Sequence, residues 1–455
     1  MAVHGDKSGE RADRRTPAGT SARTPAPASA EEAPRGAARR RALILVENLS
    51  VPFDRRVWQE STVLRDAGWE VHVICPQGAK NDTEPEAFID GVAIHRYPLA
   101  AAAGGPRGYL AEYGAALWHT ARIARRLVRT HGPFHVVHAC NPPDLLFLVA
   151  RMLRRHGTRF IFDQHDLVPE LYLSRFGRGE DILYRGVRRV ERATYDTADV
   201  VIVTNESYRD IALGRGGKRP EDVFVVRSAP ATDRFRPVPQ QPELKRGKQH
   251  LLVYLGVMGP QDGVDYALRS LAKLRDELGR DDWHAAFLGD GDMFDSLVKM
   301  VRELGLEDRV EFPGRVLDDR LLPYLSTADV CLAPDPYSPL NDRSTMNKVM
   351  EYMAMSRPTV SFDLHESRVS AGEAALFAPC DDESAFAKLI VQLLDDPDER
   401  ARMGEIGRER VAGPLSWDHS REALLAAYDA ACAPERMRRA SLTRRLGRRT
   451  DKEGT

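Results

Sequence analysis

An α/β fold of two doubly wound, Rossmann-like parallel sheets facing a cleft is what this sequence predicts, and three observations predict it. Short aliphatic runs alternate with amphipathic helical stretches, first from Ala42 and again from about His250, which is the pattern of parallel sheets covered by helices. A polar, proline-rich run at 234–249, RFRPVPQQPELKRGKQ, separates the two series and reads as an interdomain linker. The chain has 455 residues and 42% hydrophobic content, enough for two cores.

The first series, over 42–233, opens with RALILVEN as a buried strand, a helix over about 54–67 stopped by Gly68, and the strand VHVIC. It continues with VAIHRY, a long helix over about 109–130, HVVHAC, a helix from Asp144, RFIFD, a helix across 183–195, DVVIVT and VFVVR. The second series, over 250–412, runs HLLVYLG, a helix across 264–278, HAAFLG, a helix from Met293, VEFPG, DVCLAP, a short helix at Met346, TVSF, ALFA and a helix near 383–394. A terminal helix at 416–431 lies within a last segment, 413–433. Residues 1–41 carry little aliphatic bulk and cannot offset their own ordering entropy, so they read as a disordered tail, as does the Arg-rich stretch 434–455.

Formal net charge is -1, which does not indicate a nucleic-acid partner. Cys75, Cys140, Cys331, Cys380 and Cys432 are scattered without a C-x-x-C pair, as in a reducing compartment. No apolar run reaches membrane-spanning length and the first residues lack an apolar stretch, so a cytosolic protein, soluble or peripheral, is expected.

The chemistry centres on NDRSTMNKVMEYMAMSRPTVSF, Asn341 to Phe362. Ser344 or Thr345 is placed to cap a helix whose buried stripe is Met346, Val349, Met350 and Met353, with Pro358 as its stop. That leaves Asn347, Lys348 and Glu351 off the core face. A helix start offers amides without intrahelical partners and favours negative charge. Lys348 there suits a phosphate and Glu351, one turn on, suits hydroxyls; together they describe a nucleotide sugar. A surface Lys348/Glu351 pair is the alternative.

Other strand-end loops offer further polar groups. YLGVMGPQDG places Gly256, Gly259 and Gly263 between strand and helix, where backbone approaches a ligand or makes an ordinary tight turn. In FLGDGD, Asp290-Gly291-Asp292 reads either as a metal-binding D-x-D or as a glycine turn whose Asp caps the next helix. QHDLVPELY follows RFIFD and puts Asp163, His165 and Asp166 at the cleft, with His165 a polar catalytic candidate or a loop hydrogen-bonder. HACNPPDL offers Asn141 and Asp144, or a proline turn with a helix cap. In ENLSVPFDRRVW, Asp54, Arg55 and Arg56 open a helix where cations oppose the dipole. The two arginines face an anionic substrate group, or pair with carboxylates such as Glu60. Arg122, Arg125, Arg126 and Arg129, Arg185, Arg188, Arg189 and Arg192, and the tail arginines Arg436, Arg438, Arg439, Arg444, Arg445, Arg448 and Arg449 form basic stripes. They are solvated faces or a weak contact for anionic membrane.

STMNKVMEYMAMSRPTVSFD resembles the donor-binding region of family 4 glycosyltransferases, and GDG at 289–291, VEFPGRV, ADVCLAP and FDQHD support the resemblance, which spans 42–431. It implies the two-domain GT-B fold, with the C-terminal helix packing back toward the first domain. It also implies retaining transfer from a nucleotide-diphosphate sugar to a hydroxyl acceptor, a lipid-linked one included, with no cofactor and no required metal. By position, Glu351 matches the glutamate that holds the donor ribose, Asn347 and Lys348 lie at the diphosphate, and His165 matches the first-domain histidine near the transferred sugar.

The chain departs from the family where an arginine and a lysine usually serve the diphosphate: Val257 and Asp262 stand there. Arg343 replaces the usual glutamate eight residues before Glu351, and the first-domain loop lacks paired glycines. Positive charge is therefore expected from Arg343 and Lys348, with Arg315. The rivals are a catalytically degenerate scaffold subunit, a nucleotide-sugar epimerase, and a metal-dependent enzyme using Asp290 and Asp292. The nucleotide base, the sugar, the acceptor and the oligomeric state stay open.

Overall fold

The computed structural model describes residues 39–78, 82–99, 105–176 and 179–433; the predicted tails, with the arginines at 436–449, lie outside the described residues apart from 39–41. The first half runs β1 (Arg41–Leu45), α1 (Arg55–Asp66), β2 (Glu70–Pro76), β3 (Glu86–Ile89), β4 (Val92–Tyr97), α2 (Gly105–His131) and β5 (Val136–Cys140). It continues with α3 (Phe147–Leu153), β6 (Arg159–Gln164), α4 (Val168–Phe176), α5 (Ile182–Thr197), β7 (Val200–Val203), α6 (Glu206–Leu213) and β8 (Val223–Val225). The strands form one sheet, β3-β4-β2-β1-β5-β6-β7-β8, parallel except at the edge pair β3 and β4. The order reverses between β1 and β5, so the crevice opens at the carboxyl ends of those strands.

The second half comprises β9 (His250–Leu255), α7 (Val264–Asp276), β10 (Trp283–Leu288), α8 (Phe294–Glu303), β11 (Val310–Gly314), α9 (Asp318–Thr327) and β12 (Val330–Ala333). There follow α10 (Asn347–Ala354), β13 (Thr359–Phe362), α11 (His365–Ala371), β14 (Ala375–Ala378), α12 (Glu383–Asp395), α13 (Pro397–Ala412) and α14 (Trp417–Ala431). Its sheet, β11-β10-β9-β12-β13-β14, is wholly parallel, with its switch point between β9 and β12. Helices cover both faces, which is why the central strands read as unbroken apolar runs. Leu43 and Leu45 join one core layer while Ala42 and Ile44 join the other. Leu252 and Tyr254 divide from Leu251 and Val253 in the same way.

The chain passes between the halves at two joints. Helix α14 lays Leu424, Ala427, Tyr428 and Ala431 into the first half's core, each large apolar side chain contributing about 1.5–3 kcal/mol. The Tyr428 ring meets Trp69 edge-on at 5.1 Å and its hydroxyl lies 3.0 Å from His138 Nδ1. The run at 234–249 is not a free linker but is laid along the second half. Phe235 is buried there, and the amides of Val238 and Gln241 donate to Ser326 Oγ and Thr327 Oγ1, each at 2.9 Å. Helix α13, which apolar periodicity does not announce, buries Met403 and Val411 and comes close at its glycines: a Cβ on Gly404 would lie 2.4 Å from the Ser356 carbonyl oxygen. Among the described residues, no helix is long and apolar enough to cross a membrane.

Candidate functional site

The start of α10 differs from the sequence expectation in its cap. Met346 is the N-cap residue and makes no side-chain bond. Ser344 Oγ instead donates to the Leu340 carbonyl at 2.8 Å and lies 3.0 Å from the Tyr208 hydroxyl, while Thr345 Oγ1 accepts from Asn205 Nδ2 at 3.0 Å. The first helix amides are thus left without a side-chain cap. Val349, Met350 and Met353 are buried as expected, Met346 is partly buried and Asn347 is exposed. The helix ends at Ala354, ahead of Pro358, with Ser356 at a φ of 55°.

Lys348 is buried rather than surface-facing, because acidic groups from two other strand ends receive it. Its Nζ lies 2.6 Å from Asp335 Oδ1, 4.0 Å from Asp262 Oδ1 and 5.0 Å from the centre of the Tyr254 ring. Burial works against its charge, but Asp335 and Asp262 outweigh it and hold the ammonium above its ordinary range. Burial pushes Asp262 up to about 6 against the pull of Lys348. Asp335 was missed in the sequence, although DVCLAPD places it at a strand end like the others.

The two glycine turns interlock beside Lys348. A Cβ on Gly256 would lie 2.9 Å from the Tyr254 hydroxyl and 3.3 Å from Lys348 Cε, and one on Gly289 would lie 1.8 Å from the Gly256 carbonyl oxygen. Gly291 is packed against Met258, whose amide donates to the Asp290 carbonyl at 3.0 Å, and the Gly259 amide donates to Asp262 Oδ2 at 3.0 Å. Asp290 does not cap α8: its Oδ1 accepts from the Gly291 amide at 2.8 Å and the helix follows Met293 without a side-chain cap. Asp290 and Asp292 belong to neither group of converging metal-ligand side chains among the described residues.

Glu351 reaches across the cleft. Its Oε1 accepts from Arg55 Nη1 at 2.8 Å, and Arg55 also stacks over Phe235 at 5.4 Å. Burial raises Glu351 above its ordinary value while Arg55 pulls it back; burial likewise lowers Arg55, with Glu351 opposing. Arg315 lies over the ring of Phe53 at 4.5 Å, on the other half. Arg343 engages through its backbone: its carbonyl accepts from Asn205 Nδ2 at 2.8 Å, while Asn205 Oδ1 caps α6 through the Tyr208 amide. Ser207 Oγ donates to Glu366 Oε1 at 2.6 Å, a further tie between the halves.

In the first half the structure corrects several substrate-facing expectations. Arg56 Nη2 lies 3.0 Å from Asp163 Oδ1 and 3.2 Å from Glu60 Oε1, and Nη1 donates to the Val226 carbonyl at 2.7 Å. Internal carboxylates therefore occupy it, and only Arg55 reaches the other half. Asp163 is fully buried, 2.7 Å from His165 Nε2 and 3.2 Å from His138 Nε2. Burial favours its neutral form, yet Arg56 and His165 hold it well below the carboxylate range, and burial with the Asp163 charge pushes Glu60 well up. The same His165 Nε2 lies 3.0 Å from Arg56 Nε, which donates to it, so Asp163 and Arg56 meet the ring at one nitrogen.

Asn141 and Asp144 are also buried and hold the His165 loop instead of facing solvent. Asn141 Oδ1 accepts from the amides of His165 and Asp166 at 2.7 and 3.1 Å, and its Nδ2 donates to Asp144 Oδ1 at 2.8 Å. Burial pushes Asp144 up to about 7 and also raises Asp166. Asp54 caps α1 through the Val57 amide at 3.1 Å. A carboxyl the sequence reading passed over is Glu47, two residues beyond β1. It is 5% exposed, its Oε1 has no hydrogen-bond partner, and burial, then the Glu112 charge, push it up to about 8. The arginine stripes make ion pairs: Arg126 with Glu86 and Arg192 with Asp196 are exposed, as on solvated faces, while Arg188 reaches the buried Glu191.

Two family models match the chain: a "Glycosyl transferase 4-like domain" over 54–229 and "Glycosyl transferases group 1" over 249–396. The MMP alpha-(1->4)-mannosyltransferase of Mycolicibacterium hassiacum is 26% identical over 329 residues, 69% of this chain and 74% of that protein. Alpha-D-kanosaminyltransferase of Streptomyces kanamyceticus is 24% identical over 356 residues, 74% of this chain and 88% of that protein. Sucrose-phosphate synthase from Thermosynechococcus elongatus shares the fold, with a TM-score of 0.71 at 21% identity over 86% of this chain and 98% of that one.

Proposed function

We propose that this chain, which belongs to the family 4-like glycosyltransferases of the GT-B fold and takes its sugar from a nucleotide-diphosphate donor, transfers that sugar with retention of configuration and without a catalytic metal. The acceptor is a hydroxyl of a growing saccharide or glycoconjugate. The observation that supports this reading best is Lys348 at the uncapped start of α10, held between Asp335 and Asp262, with Glu351 one turn on.

In this reading the donor diphosphate lies at the α10 amides and Lys348, and Glu351 takes the ribose hydroxyls. As the bond from the anomeric carbon to the diphosphate breaks, negative charge grows on the leaving phosphate. Preorganised donors at such a position supply a large share of catalysis. Asp335 and Asp262 offset part of the Lys348 charge, so Arg343, and Arg55 once it leaves Glu351, complete the neutralisation that Val257 and Asp262 do not provide. The acceptor oxygen bonds to the anomeric carbon on the leaving-group face and its proton passes to the departing phosphate. His165 contacts the sugar or the incoming hydroxyl and is not a nucleophile.

A thermal-shift screen against UDP, GDP and ADP and their sugars, with and without chelator, tests the reading. Stabilisation by one nucleotide class, and turnover unchanged by chelator, is the expected result. No nucleotide response favours the scaffold reading that the missing loop cations suggest, and turnover lost in chelator removes metal independence. Co-sedimentation with anionic vesicles at low salt checks for a membrane-borne acceptor.

A further inference from the structure

Away from the cleft, the first half gathers histidines and carboxylates that the transfer reaction does not use. They lie toward the amino end of β2 and against the last turn of α2. His72 Nε2 lies 3.0 Å from Glu70 Oε1, and His131 Nδ1 lies 3.9 Å from the same oxygen. The three donor atoms all fall within 4.8 Å of one another. Behind them, His72 Nδ1 lies 3.1 Å from His95 Nε2, and His95 Nδ1 lies 3.7 Å from Glu86 Oε1. The register of β2 on β4, with Ile74 opposite His95, sets the two rings on one face, stacked at 5.4 Å.

We propose that Glu70, His72 and His131 form a zinc site, with His95 and Glu86 as the outer layer that fixes the His72 tautomer. The protons of this chain of groups argue for a cation. If His72 carries its proton on Nε2 for Glu70, then Nδ1 accepts from His95 Nε2–H. His95 Nδ1 is then a bare lone pair facing Glu86, and that atom is indeed buried without a hydrogen-bond partner. If His72 Nε2 binds a metal, its Nδ1–H donates to His95 Nε2, and His95 Nδ1–H points at Glu86. Each ring proton then faces an acceptor, His95 Nδ1–H facing the Glu86 carboxylate across 3.7 Å, in the order by which outer carboxylates orient metal-bound histidines. An added proton on His72 would satisfy the same chain, but it gives no reason for His131 to converge on the Glu70 oxygen.

The spacing fits the ion. Zinc–nitrogen and zinc–oxygen bonds of about 2.0–2.1 Å in a tetrahedron set ligand atoms roughly 3.3 Å apart, and the two separations at Glu70 bracket that value. Glu70 and His131 are about 40% exposed, leaving an entry path and a fourth position for water. The other group of metal-ligand side chains, Glu60, Cys140, Asp163 and His165, already holds the Arg56 guanidinium between two of its carboxylates. A metal at Glu70 would clamp the end of α2 to β2, apart from the cleft.

The test uses the full chain stripped with chelator and titrated with zinc by calorimetry, with thermal unfolding in parallel. One equivalent should bind and raise Tm. His131→Ala and Glu70→Gln, at half-exposed positions, should each weaken binding at least tenfold, and His95→Gln about ten- to a hundredfold. His165→Ala should leave binding unchanged. The proposal is overturned if the chain takes up no stoichiometric zinc, if its stability follows pH alone, if His131→Ala and Glu70→Gln bind as the wild type does, or if His165→Ala abolishes uptake.

Discussion

Replacing Lys348 with alanine probes both its ion pair with Asp335 and its proposed contact with the donor diphosphate. Asp335 is 2% exposed, its Oδ2 already lacks a partner, and Lys348 is the cation on its Oδ1. Removing the ammonium strands Asp335 beside Asp262. Breaking a buried pair in this way costs about 3–5 kcal/mol, which in a domain of this size lowers Tm by roughly 10 °C. Losing one preorganised cation at the leaving group should independently cut kcat by about 10²–10³-fold. The double variant Lys348→Ala/Asp335→Asn divides these effects, because it removes the stranded charge without restoring a cation. It should recover most of the lost Tm and none of the turnover. Scanning fluorimetry reads the first quantity, and nucleoside diphosphate release from the donor found in the binding screen reads the second. Turnover within threefold of wild type in either folded variant would refute the assignment of Lys348 to the diphosphate.

Three further outcomes follow. Arg55→Ala should move Tm little, since Arg55 is half-exposed and such pairs contribute at most about 1 kcal/mol. It should nonetheless raise donor KM severalfold; initial rates that show an unchanged KM remove Arg55 from the site. Arg56→Met should destabilise the first half by about 3–5 kcal/mol by stranding Asp163 and Glu60, and a Tm within 2 °C of wild type in scanning fluorimetry, set by the roughly 2–4 °C per kcal/mol scale, would contradict the buried-triad account. Glu47 has a folded value of about 8 against an ordinary 4.5. Its neutral form supports the fold fully below about pH 4.5, and that contribution is lost as pH rises through about 8. Glu47→Gln should therefore match wild type near pH 5 and exceed it near pH 9 by at most about 5 kcal/mol, at ~1.4 kcal/mol per unit. Parallel Tm curves across that range would count against the buried carboxyl.

Much of the architecture was legible because parallel strands covered on both faces leave unbroken apolar runs, and Val349, Met350 and Met353 keep helical spacing. The edge strand β3 escaped because its residues alternate between exposed and half-buried. Helix α13 escaped because Gly404 and Gly407 interrupt its buried face between the apolar Met403 and Val411. Residue type and strand-end position single out Lys348, Glu351 and His165 as the candidates. Which carboxylate answers which cation was not legible, because the pairs join residues far apart in sequence: Lys348 with Asp335, Arg55 with Glu351, Arg56 with Asp163. Local caps were equally hidden, since Asn205 reaches Thr345 from another half and leaves α10 uncapped.

That reach of Asn205 also bears on how the chain can be cut. The same side chain starts α6 in the first half and grips the Arg343 carbonyl and Thr345 hydroxyl in the second. The loop before α10 is therefore seated partly on the first half, although its sequence belongs to the second. A chimera that joins the first lobe of one relative to the second lobe of another at 234–249 would separate this loop from its seat, just as it would separate α14 from the core it completes. If the donor binds at α10 as proposed, a graft of the second half keeps its nucleotide-sugar preference only when the residues that meet Arg343, Thr345 and Tyr428 travel with it.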